Sequence, residues 1–146
     1  MINFRFKLAR VLAWRQTQLE VEEAKFKQQT AALAELDRAR AELEAAGIRA
    51  ESEVRRWDPL NGGDLAALSG FRLHVRARED QLAARRAERQ KVVDAQQSAM
   101  LEARRRCRLL ERLKERQLTE WQSARDRELE ALALESFLAG WPRDAP

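Results

Sequence analysis

The run Trp57-Asp58-Pro59-Leu60-Asn61-Gly62-Gly63-Asp64 does most to limit what this chain can become. Asp-Pro pushes the residue before the proline out of the helical region, and Asn-Gly-Gly supplies positions that tolerate positive φ. No comparable cluster of breakers occurs on either side, in a chain of 146 residues with 5 Gly and 3 Pro. Charged residues make up 36% and hydrophobic ones 45%, the latter dominated by Ala and Leu. Such a composition favours long helices over a thick core. The run therefore reads as a turn between two helices.

The expected elements are one helix over about 4–57, a loop over 58–64, a second helix over about 65–138 and a tail over 139–146. Asp64 is the expected N-cap of the second helix. Ser69-Gly70 weakens its first turns, and Gly140-Trp141-Pro142 forms its stop. In the first helix a 3-4 spacing runs through Leu8, Leu12, Arg15, Leu19, Glu22, Phe26, Gln29, Leu33, Leu36, Arg40, Leu43, Gly47, Ala50, Val54 and Trp57. In the second, Val75, Leu82, Val93, Met100, Ala103, Cys107, Leu110, Trp121 and Ala124 fall on a comparable seam. Two long periodic helices joined by one short turn predict an all-α fold, a single antiparallel coiled-coil hairpin whose second helix is the longer.

The inequality matters. With the turn near Asn61, the first helix runs out opposite about residue 118, which leaves roughly 30 Å of the second unpaired at 1.5 Å per residue. That overhang carries Leu118, Trp121, Leu129, Leu132, Leu134, Phe137, Leu138 and, past the glycine, Trp141. Apolar surface of this kind marks an interaction site or self-association. Charge changes along the same helix. Residues 72–116 hold 14 basic and 7 acidic side chains, whereas 120–135 hold 5 acidic and 2 basic.

The segment LEARRRCRLLERLKER, residues 101–116, tests the nucleic-acid reading. Leu109, Leu110 and Leu113 lie on or beside the seam, and Arg104, Arg105, Arg108, Arg112 and Arg116 point outward. No aromatic residue interleaves with the basic run, and the net charge of +4 is mild, so no nucleic-acid partner is expected. Nor does the sequence suggest an enzyme. His74 has no Ser or Cys at a triad spacing, the single Cys107 sits where a small hydrophobe belongs, and Gly62-Gly63 lacks a following Lys-Ser or Lys-Thr. No cofactor, metal or catalytic residue is expected. The start MINFRFKLARVLAW has no continuous apolar run, and no stretch reaches the ~20 apolar residues of a membrane span, so a cytoplasmic location is expected.

Three segments resemble the flagellar export protein FliJ family, coiled-coil components of the type III export apparatus. They are FRFKLARVLAWRQTQLEVEEAKF at the start, GDLAALSGFRLHVRAREDQL after the turn, and LLERLKERQLTEWQSARDRELEALALESFL near the end. Their order and spacing span nearly the whole chain. The resemblance implies a non-enzymatic, stalk-like antiparallel hairpin in flagellar biogenesis and motility. It would engage a hexameric export ATPase, contact an export gate membrane protein at the inner face of the membrane, and escort substrate chaperones. Carried over residue by residue, the ATPase-binding end falls on Phe4, Phe6, Leu8, Arg10, Arg112, Leu118, Trp121, Leu129 and Leu132. The gate contact falls on Phe71 and Val75, although Arg78 and Glu79 in the next turn depart from the family pattern. Packing of Phe71 and Val75 on the first helix is the alternative. A virulence-type secretion stalk, a scaffold self-associating weakly through the overhang and a basic nucleic-acid-binding hairpin are the alternative functions.

Overall fold

The computed structural model describes residues 3–57, 59 and 61–141. Two helices account for nearly all of them: α1, Ala9–Arg55, of 47 residues, and α2, Gly62–Ala139, of 78 residues. They pack antiparallel, and among the described residues there is no strand. The pre-proline position Asp58, Leu60, the Pro142 stop and the tail beyond Trp141 lie outside the described residues.

Both starts differ from expectation. α1 begins at Ala9 rather than near Phe4. Residues 3–6 are non-helical, Lys7 and Leu8 form a turn, and the Ala9 amide donates to the Phe6 carbonyl at 3.1 Å. α2 begins at Gly62, and its N-cap is Asn61 rather than Asp64. The Asp64 amide donates to Asn61 Oδ1 at 2.8 Å, and the Asn61 amide donates back to Asp64 Oδ2 at 3.2 Å. This reciprocal pair is a capping box with Asp64 at the third helical position, where its charge also complements the helix dipole. Ser69-Gly70 does not interrupt the helix. At the other end, α1 stops at Arg55 and tightens, with the Arg56 and Trp57 amides donating to Glu53 and Val54 at 3.1 Å. Trp57 is thereby carried off the seam and left largely exposed.

The hairpin divides into two compact units, one built from Glu20–Glu102 and the other from Met1–Leu19 with Ala103–Pro146. In the turn-proximal unit, Leu82, Val93 and Met100 are buried, and Phe26, Leu33, Leu36 and Leu43 are half-buried on the facing helix. Arg40 points outward and Ala39 takes its place. A straight helix drifts against a strict seven-residue repeat, so the seam slips by one position there without a guanidinium beneath it.

Two polar seam positions, Glu22 and Gln29, are matched across the helices. Gln96 donates to both the backbone carbonyl and the carboxylate of Glu22, and Arg89 Nη1 donates to Gln29 Oε1 at 2.8 Å. Outside the seam, Arg86 pairs with Asp37 at 2.6 Å and Arg72 with Glu51 at 2.7 Å. Exposed pairs of this kind contribute only about 0.2–1 kcal/mol each. Their larger effect is on register, because a slip of one residue would strand every polar group at once.

Candidate functional site

The terminal unit holds the candidate interaction surface. Its core is small: Phe6, Leu12 and Cys107 are buried, with Phe4, Leu19, Leu110 and Leu113 packed against them. The non-helical start explains how so few N-terminal residues reach this far. A non-helical residue spans about 3.3 Å against 1.5 Å in a helix, so residues 3–6 run past the point where a helical start would have ended. Phe4 thereby meets Trp121, with ring centroids 6.0 Å apart and tilted by 53°. Trp121 is consequently half-buried instead of belonging to the bare overhang, and Arg125 covers it at 5.6 Å from the ring centre.

Beyond Trp121 no described residue covers α2. Every described residue from Gln122 to Trp141 is exposed, a free helix of roughly 27 Å. Helical spacing divides its apolar residues between two faces. Leu129 and Leu132 prolong the seam of Leu118. Leu134, Phe137, Leu138 and Trp141 gather on the opposite side, where the Phe137 and Trp141 rings meet edge to face at 5.4 Å. Leu132, Phe137 and Trp141 are 59–61% exposed. A helix apolar on both sides is stable against solvent only when something encloses it.

Below the overhang lies a basic collar that neither strand displays alone. Arg5, Lys7, Arg10 and Arg15 precede the first acidic residue, Glu20, and they pack beside the stretch that carries Arg108, Arg112, Lys114 and Arg116. The first turn of α1 contains no acidic side chain, so the positive end of its dipole adds to the collar. Among the described residues, Arg5, Lys7, Arg10, Arg108, Arg112, Lys114 and Arg116 have no ion-pair partner. The last turn of α2 has no basic residue and Glu135 directly precedes it, so side chain and dipole are both negative near this end.

Of the nine residues assigned to this end from sequence, Arg10, Arg112, Leu129 and Leu132 are exposed, and Leu8 is 38% exposed. Phe4, Leu118 and Trp121 are half-buried. Phe6 lies in the core, and what it supplies is the placement of Phe4 and Arg5. The second apolar face around Phe137 and Trp141 belongs to the overhang marked in the sequence as an interaction surface, but not to the nine residues assigned to the ATPase. Phe71 and Val75, the other assigned pair, are half-buried beside Gly47 of α1, in a small groove of about 200 Å³ flanked by Glu51, Arg72 and Glu79.

Burial pushes the Cys107 thiol above its ordinary value, and the Glu111 carboxylate, to which the thiol donates at 3.5 Å, adds to this. A protonated, covered thiol is a poor nucleophile. His74 is exposed. Among the described residues no group of three or more His, Cys, Asp or Glu is placed to hold a metal ion, and no helix is long and apolar enough to cross a membrane. No protein-family model, curated protein or solved structure matches the chain.

Proposed function

We propose that this chain is a cytoplasmic, non-enzymatic stalk and escort protein of a bacterial type III export apparatus, of the flagellar kind. In this reading the terminal unit engages the hexameric export ATPase. Phe71 and Val75 meet the export gate protein peripherally at the inner membrane face, and the exposed helix surfaces escort substrate chaperones. The observation that carries it is the free end of α2, apolar on two sides and set directly beyond a basic collar. Such an end fits an enclosing, acidic-mouthed cavity better than a flat surface, because a flat surface covers only one face. The three segments that resemble the FliJ family add to this support.

The test is titration of the full chain into the export ATPase of the same genome at physiological salt, following hexamer assembly and ATP hydrolysis. A Leu129→Asp/Leu132→Asp chain runs alongside, since both residues are exposed and the hairpin is expected to fold without them. Assembly promoted by the native chain but not by the variant supports the reading. Equal behaviour of the two removes the overhang from the site, and no binding by either removes the ATPase.

A further inference from the structure

At the start of α1, local and tertiary preference conflict. Leu8 occupies the N-cap, since its carbonyl accepts the first helical bond, from the Leu12 amide at 2.8 Å. A leucine side chain offers nothing to the free amides that follow, and the first turn of α1 contains no acidic residue. A strong capping residue stands a little earlier, at the exposed Asn3. A helix begun there would take in residues 4–8 and replace the uncapped start at Ala9 with a capped one.

Two aromatic rings prevent it. At ~100° per residue, Phe4 and Phe6 lie about 200° apart on a helix, so only one of them could face α2. A helical start would place Phe6 one turn before Arg10, on an exposed line of α1. The non-helical start instead buries Phe6 with Leu12 and Cys107 and sets Phe4 against Trp121. Residues 3–8 thus owe their conformation to docked rings and not to their own preference. Such disagreement between local code and fold is typical of functional elements.

We propose that residues 3–8 are a displaceable strap with two states. Docked, the strap is non-helical, covers Trp121 and fills the cluster with Phe6. Released, it becomes the first turns of α1, capped by Asn3, with Phe6 turned outward and Trp121 uncovered. A partner that takes hold of Trp121 removes the contact of Phe4 and so favours release, whereas the docked strap withholds Trp121 from it. The strap rests on the stalk reading only in taking Trp121 as a partner contact; the exchange itself belongs to the chain alone.

Cα chemical shifts of residues 4–8 in the full chain read the two states. The native chain should show non-helical shifts. Trp121→Ala, which imitates capture of the indole, should move them to helical values, and Phe4→Ala should do the same from the other ring. Adding Asn3→Ala to either should reverse the change, because Asn3 caps only the released state. Lys7→Pro supplies a lock. Lys7 is the second residue of the turn closed by the Ala9 amide and Phe6 carbonyl, where proline fits, but proline there opposes the released helix. Trp121→Ala/Lys7→Pro should therefore keep non-helical shifts. In the native chain the single thiol, Cys107, gives a second readout, its rate of alkylation. That rate should be nearly flat in low urea, since releasing a short strap exposes little surface. Lys7→Pro should slow it by about tenfold or more. Residues 4–8 that stay non-helical in Trp121→Ala and Phe4→Ala overturn the proposal. So do helical shifts that survive Asn3→Ala, or an alkylation rate that climbs steeply with urea or ignores Lys7→Pro. No export ATPase enters these measurements, so the strap can fail while the stalk reading stands, and the reverse.

Discussion

The two units of this hairpin solve the same packing problem with different chemistry. The turn-proximal unit spreads its seam over many half-buried positions and answers polar seam residues with partners on the facing helix, Glu22 with Gln96 and Gln29 with Arg89. The terminal unit concentrates its burial in Phe6, Leu12 and Cys107, gathers basic side chains around them, and then leaves α2 bare. The difference is between fixing a register and presenting a surface. Polar seam pairs add little net stability but exclude alternatives, whereas an apolar cluster tolerates shifts and holds the non-helical start against a helix.

The largest expected effect comes from attacking the cluster. Phe6→Ala removes most of a buried aromatic ring and should cost about 3 kcal/mol. In hydrogen exchange the loss of protection should concentrate in residues 9–19 and 103–118. Uniform loss along both helices would instead make the two units a single cooperative body. The seam comes next. Gln96→Ala removes the cross-helix donor to the half-buried Glu22 carboxylate, which keeps only Lys25 at 3.8 Å, and should lower stability by about 1 kcal/mol in thermal denaturation. The double change Glu22→Leu/Gln96→Leu should recover that loss, because a buried polar pair is readily replaced by a hydrophobic one.

Smaller effects sharpen the contrast at the edges. Asn61→Ala breaks the capping box and should cost about 1 kcal/mol. Gly47→Ala should raise stability by up to about 1 kcal/mol, since a helical glycine is costly and the added methyl group would lie 3.8 Å from Val75 Cγ1, an ordinary contact. The last effect is confined to alkaline solution. The Cys107 thiol ionises less readily in the folded chain than at its ordinary value of 9.0, so the unfolded chain loses its proton first as pH rises. Its contribution is complete below that value and declines as pH climbs through the folded-state value. A Cys107→Ala chain should lack this component when the two denaturation profiles are compared across pH.

Much of the architecture was legible because periodicity and breakers act locally. The 3-4 spacing located most seam positions from Leu12 to Val54, and Asn-Gly-Gly located the turn. The errors arose where two local readings were equally good. Asn61 and Asp64 are both strong capping residues, and only the reciprocal hydrogen bonds separate cap from third position. Phe4 to Leu8 continue a helical pattern, yet they are non-helical or turned, because a non-helical start can bring Phe4 to Trp121 and bury Phe6 as well. Arg40 and Ala39 exchanged places for want of one residue of drift.

By itself the sequence determined two long helices, their turn, their antiparallel pairing and the inequality that leaves α2 unpaired, all of which follow from short-range spacing and chain length. Only the tertiary structure decided the surfaces. The basic collar joins Arg5 to Arg15 with Arg108 to Arg116, and an alanine-floored groove joins residues 32–36 with 84–92, segments too distant in the chain for any local pattern to relate. A surface is a property of what lies side by side in space, and the register of one helix on the other sets which side chains those are.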